Sequence, residues 1–160
     1  MAPLVVLTTS FALFLTLHKL ARLRPLTDWT VCLRWALAAM FVLTASAHWG
    51  SRRPDLVAIV PDLFSNPELL VTLTGIAELA GAVGLLIPRL APAAAAGLAL
   101  LLVAIFPANV RAAHEAMTIG GQPVLPLVPR ALLQLVFLGA VLLAGFARPR
   151  SPGSRQVAAR

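Results

Sequence analysis

The sequence holds a single cysteine, Cys32. One thiol forms no intramolecular disulfide, and without a C-x-x-C pair or a Cys/His cluster the chain offers neither a dithiol centre nor a structural zinc site. Any redox chemistry must then come from a bound cofactor or a partner, and no metal site is assigned. A nucleophile motif, a glycine-rich phosphate loop and a dinucleotide fingerprint are also missing; Gly120 and Gly121, between Thr118 and Gln122, read as a turn. Charge is scarce too, at 12% of residues, with six acids and 13 bases, of which only Lys19 is not arginine.

Apolar surface is what the chain has in excess. Of its 160 residues 59% are hydrophobic, and the mean hydropathy is +0.89. That is more than one water-soluble core of this size can hide, so lipid takes the remainder. A formal charge of +7 could serve nucleic-acid binding, but the basic residues stand in short clusters between apolar runs and in the tail. They encode topology instead, and no nucleic-acid partner is expected. Arginine in place of lysine, with abundant Ala, Leu and Pro, points to a bacterial source.

Five apolar runs, at residues 4–17, 30–48, 67–87, 91–108 and 130–147, read as transmembrane helices. The first is short for a span and carries its basic flank (Lys19, Arg22, Arg24) after it, the reverse of a cleavable signal peptide. Asp28 and Trp29 read as cap and interfacial anchor of the second. Pro67 and Glu68 open the third, and Pro88 stops it. The fourth ends around Phe106–Asn109, and the fifth begins after Pro129. The expected architecture is an all-α membrane protein: an N-terminal transmembrane helix and basic loop over residues 1–29, a four-helix bundle over 30–147, and a disordered basic tail over 148–160.

If all five runs span, Lys19, Arg22, Arg24, Arg34, Arg89, Arg148, Arg150, Arg155 and Arg160 share one side, against Arg52, Arg53, Arg111 and Arg130 on the other. The positive-inside rule then puts the N-terminus outside and the C-terminus in the cytoplasm of a bacterial inner membrane. The connections at 49–66 and 109–129 face outward.

Glu78 falls mid-way along the third run, where an ionised carboxylate facing lipid costs several kcal/mol. Its helical neighbours are Thr74, Gly75, Gly81 and Ala82, a small-residue stripe that lets another helix approach. A buried carboxylate is expected there, either as a packing lock or as a ligand or proton site. His48, Asn109, Arg130 and Gln134 come to the outward ends of their helices and converge on one mouth above it. Arg130 lies within reach for an ion pair with Glu78, and Gln134 sits about 6 Å deeper. Arg34 shares the His48 face but lies about 21 Å away along the axis, and reads as a snorkelling anchor. His18 and His114 fall on opposite sides, which gives paired haem ligation no support.

From Arg34 onward the chain resembles the DoxX-like family of small bacterial membrane proteins. Three stretches carry the likeness: Ser46-Ala47-His48-Trp49 with Val60-Pro61, then Thr74-Gly75-Ile76-Ala77-Glu78-Leu79-Ala80-Gly81, then Phe106-Pro107-Ala108-Asn109-Val110. Arg130 with Gln134 resembles the family's final-helix opening. Trp49 stands where members commonly have Phe, and the first apolar run lies outside the usual four-helix unit. The resemblance implies a four-helix membrane bundle. Some members act as small subunits of thiosulfate:quinone oxidoreductase or associate with membrane redox complexes.

Two functions follow as expectations. One is a membrane subunit holding a quinone near the mouth, with Glu78 and His48 as proton or hydrogen-bond partners and Asn109, Arg130 and Gln134 positioning the head group. The other is a non-catalytic scaffold or lipid-binding protein that docks a partner through its outward loops. A channel needs a continuous polar path, which the Ala/Leu-rich inner halves do not display.

Overall fold

The computed structural model describes residues 2–21 and 28–147. The expected C-terminal tail, and Arg22 and Arg24 of the basic loop, lie outside the described residues.

Helix α1 spans Ala2–Ala21 and α2 spans Trp29–Ser46. Asp28 caps α2 as expected: its Oδ1 accepts the Trp29 N–H at 2.7 Å, and its Oδ2 accepts the Thr30 hydroxyl at 3.1 Å. A short α3 (Arg53–Ala58) precedes α4 (Pro67–Leu86), α5 (Ala91–Ala104) and α6 (Phe106–His114). A two-stranded hairpin follows, β1 Thr118–Ile119 and β2 Gln122–Pro123, and then α7 (Leu127–Phe146).

Four segments are long and apolar enough to cross a membrane: Trp29–Ser46, Pro67–Leu86, Ala91–His114 and Leu127–Phe146. They form a closed ring in which α2 packs on α4, α4 on α5, α5 on α7 and α7 back on α2. The apolar stretch of α1, Pro3–Lys19, is shorter, and α1 lies against α2, with Phe14 beside Trp35 at 6.2 Å between ring centroids. Leu37, Met40, Phe41, Leu85, Leu98 and Val141 fill the core. Large apolar side chains also cover the outside of the ring, Leu100 at 71% exposed and Leu135 at 62% among them. Such a surface fits contact with a lipid bilayer.

Two boundaries differ from the sequence reading. The fourth run does not end at Asn109; after one non-helical residue, Ile105, it resumes as α6 and runs to His114. Pro107 sits in the first turn of α6, where a missing N–H leaves no bond unmade, so it bends the path without stopping it. The last helix starts at Leu127, which places Pro129 inside its first turn and Arg130 one position further on. Arg34 is more than an anchor, since its Nε donates to the Ala144 carbonyl at 2.7 Å, in the last turn of α7. A cation is favoured there by the unpaired carbonyls of a helix C-terminus.

The two connections expected as loops fold into a cap over one end of the ring. Gly120 and Gly121 both take positive φ, 61° and 72°, as a two-residue hairpin turn with both central residues left-handed requires. The Gly120 N–H donates to Asp55 Oδ2 at 2.7 Å, pinning the hairpin to α3. Arg111 of α6 pairs with Asp62 at 2.8 Å and with Glu115 at 2.9 Å. It also donates to the Val60 carbonyl.

Candidate functional site

The site lies at the capped end, where α2 finishes and α4 begins. Beyond Ser46 the chain turns through Ala47 and brings the His48 ring down onto α4 at Gly75. A Cβ built on Gly75 would stand 2.8 Å from His48 Cβ and Cγ and from Trp49 Cη2. The absence of a side chain at Gly75 therefore seats the imidazole.

His48 Nδ1 lies 2.6 Å from the Val71 carbonyl oxygen. A carbonyl only accepts, so Nδ1 carries the proton and donates it, and Nε2 is the atom turned toward Glu78. Nε2 stands 3.7 Å from Glu78 Oε1, and the two side chains are 11% and 9% exposed. The other carboxylate oxygen, Oε2, accepts the Thr44 hydroxyl at 2.7 Å. Arg53 of α3 holds the turn from behind, donating from Nη1 to the His48 carbonyl at 2.8 Å and from Nη2 to Thr72 Oγ1 at 3.0 Å. Burial alone would lower the His48 pKa. The Glu78 carboxylate beside the ring and the Val71 carbonyl outweigh that burial and the opposing Arg53 cation, so His48 titrates above its ordinary value.

A cavity of about 560 Å³ opens beside this cluster. Met40, Phe41, Leu102, Ile105 and Phe137 give it apolar walls, and Thr44, His48, Thr74, Glu78, Asn109 and Gln134 are its polar features. Arg52, Ile59, Phe64 and Ile119 of the cap roof it, and Pro3 of α1 reaches its edge. Its size and its sparse, convergent polar groups are those of a small-molecule site.

Four of the five candidate residues, His48, Glu78, Asn109 and Gln134, thus line one cavity. They do not all touch. Arg130 makes no pair with Glu78. Its Nη1 donates to Asn109 Oδ1 at 2.8 Å, bracing α6 to α7, and it approaches the cavity through Asn109. A neutral amide on the adjacent helix is the nearer acceptor, and Glu78 is occupied by Thr44 and His48. Gln134 spends its amide on the Leu102 carbonyl, in the last turn of α5 beside the Pro107 bend. Sequence reasoning misses Thr44, although it lies four residues before His48 and so on the same side of the helix expected over residues 30–48.

Among the described residues no group of three or more His, Cys, Asp or Glu could hold a metal ion. The family model described as Domain of unknown function (DUF8561) matches residues 37–148, which takes in all of these side chains. No curated protein and no solved structure matches the chain.

Proposed function

The chain belongs to the DUF8561 family, whose description assigns no activity, and we propose that it is a bacterial inner-membrane protein that holds an amphipathic, quinone-type ligand in the capped cavity. The observation that carries the proposal is the pairing of apolar walls with one buried acid–base cluster, Thr44–Glu78–His48, whose imidazole is oriented by Val71. A carboxylate in a membrane span is costly and is kept where it handles a proton or a ligand. In this reading His48 and Glu78 bind and pass protons at the head group. Asn109, held by Arg130, and Gln134 shape the pocket. The electron donor or acceptor is a partner protein in a membrane redox complex, as the DoxX-like resemblance implies. The proposal includes α1 as a fifth span, the N-terminus outside and the C-terminus in the cytoplasm, in keeping with nine basic residues on one side and four on the other.

A second reading has its own support. Leu63 is 87% exposed and neighbours the half-exposed Phe64 in the cap, an apolar tip suited to docking a partner. A scaffold would use that tip and leave the cavity unoccupied.

Mass spectrometry of lipids and cofactors that copurify with the protein, compared with Glu78→Gln, tests the proposal. An isoprenoid quinone enriched over bulk lipid in the parent and lost in the variant is the expected result. A parent that carries only bulk phospholipid overturns it.

A further inference from the structure

The gap between His48 Nε2 and Glu78 Oε1 says what kind of head group fits. At 3.7 Å the two atoms are too far apart for a direct hydrogen bond, yet one oxygen set to the side of the line that joins them can stand about 2.8 Å from each. The other polar atom of each side chain already has a partner: Nδ1 the Val71 carbonyl and Oε2 the Thr44 hydroxyl. The bridging atom therefore faces one imidazole nitrogen and one carboxylate oxygen, in a cavity that is otherwise mainly apolar.

We propose that this slot takes a hydroxyl on an apolar body, which accepts a hydrogen bond from His48 Nε2–H and donates its own hydrogen to Glu78 Oε1. Only a group that both accepts and donates completes the chain. A ketone or ether oxygen accepts from Nε2–H but brings its lone pairs against the carboxylate, leaving a buried anionic oxygen unpaired. The inference rests on the proposed ligand-binding function and narrows it, favouring the reduced, hydroxyl-bearing form of a quinone-type ligand, or an isoprenoid alcohol, over the carbonyl form. It also requires the proton on Nε2. That proton is held by Glu78 on α4 against the opposing charge of Arg53 on α3, while Arg52 adds a further cation to the cavity roof.

Calorimetric titration of the full chain in phosphatidylcholine nanodiscs provides the test, using an alkyl-substituted hydroquinone, its dimethyl ether, the matching quinone, and farnesol. The hydroquinone should bind about tenfold more tightly than its ether and its quinone, the loss expected when one hydrogen bond to the site is missing. Affinity for hydroxyl ligands should fall as pH rises through the imidazole range. Tight binding of farnesol as well would assign the site to hydroxyls in general, and its exclusion would assign it to phenols; both support the inference. Equal affinity for hydroquinone, ether and quinone overturns the inference but leaves the ligand-binding function standing. Failure of all four to bind overturns both. The comparison uses one unaltered protein, so no variant has to fold for it to be decisive.

Discussion

The two ends of the bundle are built on different principles. At the closed end, helices meet through missing side chains. Gly81 faces Leu98, Gly84 faces Ala94, and Gly145 faces Ala95 and the Ala91 carbonyl. Arg34 reaching the Ala144 carbonyl is a polar tie between helices there. At the capped end the same helices surround a cavity, and polar groups replace methyl contacts: Thr44, His48 and Glu78 on one side, Asn109, Arg130 and Gln134 on the other. Close packing fixes the helices where no chemistry is proposed, so that buried polar groups, which contribute little net stability, can be held where it is.

The largest effect should come from spoiling the closed end. In Gly145→Leu the new side chain meets Ala95 and, 3.3 Å from its Cβ, the Ala91 carbonyl oxygen. Backbone cannot rotate aside, so the α5–α7 seam must open, at a cost of about 3 kcal/mol. Thermal unfolding in detergent should show a large drop in midpoint. An unchanged midpoint would show that the two helices do not meet as described.

At the capped end, Asn109→Ala should be the most costly single change, because it strips a partly buried guanidinium of its side-chain acceptor. A loss of about 2 kcal/mol is expected. Arg130→Met combined with Asn109→Leu should recover much of it, since the pair then leaves no unpaired charge. The double variant should keep the acid–base cluster intact, because neither residue touches Glu78. If Arg130 did pair with Glu78, Glu78→Gln would destabilise the protein more than Asn109→Ala does.

Gly75→Ala separates stability from function at the same end. A Cβ at that position collides with the His48 ring 2.8 Å away, but alanine also improves helix propensity by up to about 1 kcal/mol. The net change in melting should be small, whereas the ring is pushed out of line with Glu78 and ligand retention is lost. Full retention of ligand by Gly75→Ala would show that the imidazole position is immaterial.

How much of this was legible in the sequence follows from how directly each feature is written there. The four helices long enough to cross a membrane show as long apolar runs, and Asp28, Pro67 and the Gly120-Gly121 turn mark boundaries by local chemistry alone. Glu78 announced its own burial, because a lone carboxylate amid leucines and glycines has no other inexpensive place. The cap was not legible: α3 is six residues of mixed polarity, and the hairpin strands have two residues each, so neither builds a period. Pro107 reads as a stop because proline both ends and opens helices, and which occurs depends on the packing of the segment beyond. Thr44 passed unnoticed because a hydroxyl in an apolar helix ordinarily bonds its own backbone, as Thr44 also can at the Phe41 carbonyl. Arg130 reads as a partner of Glu78 from its charge, its length and the helix rise, but a neutral amide one helix away is the nearer acceptor.

The smallest expected effect is also the most specific to the cluster. His48 in the folded protein titrates above the ordinary imidazole value of 6.5, through the neighbouring Glu78 carboxylate and its bond to Val71 and despite its burial and the Arg53 charge. A raised folded value means that the folded state binds the proton more tightly than the unfolded state. The resulting stability is present in full below pH 6.5 and is lost as pH rises through the folded value. Melting midpoints measured across that window should therefore fall with increasing pH. Glu78→Gln removes the anion that holds the proton, so its profile should be flatter even if its midpoint at high pH matches the parent. Gly75→Ala should flatten the slope as well, with the carboxylate still in place, because it moves the ring and not the charge. A parent profile with no slope in this window would mean that His48 and Glu78 do not share a proton, and would remove the acid–base cluster from the capped end.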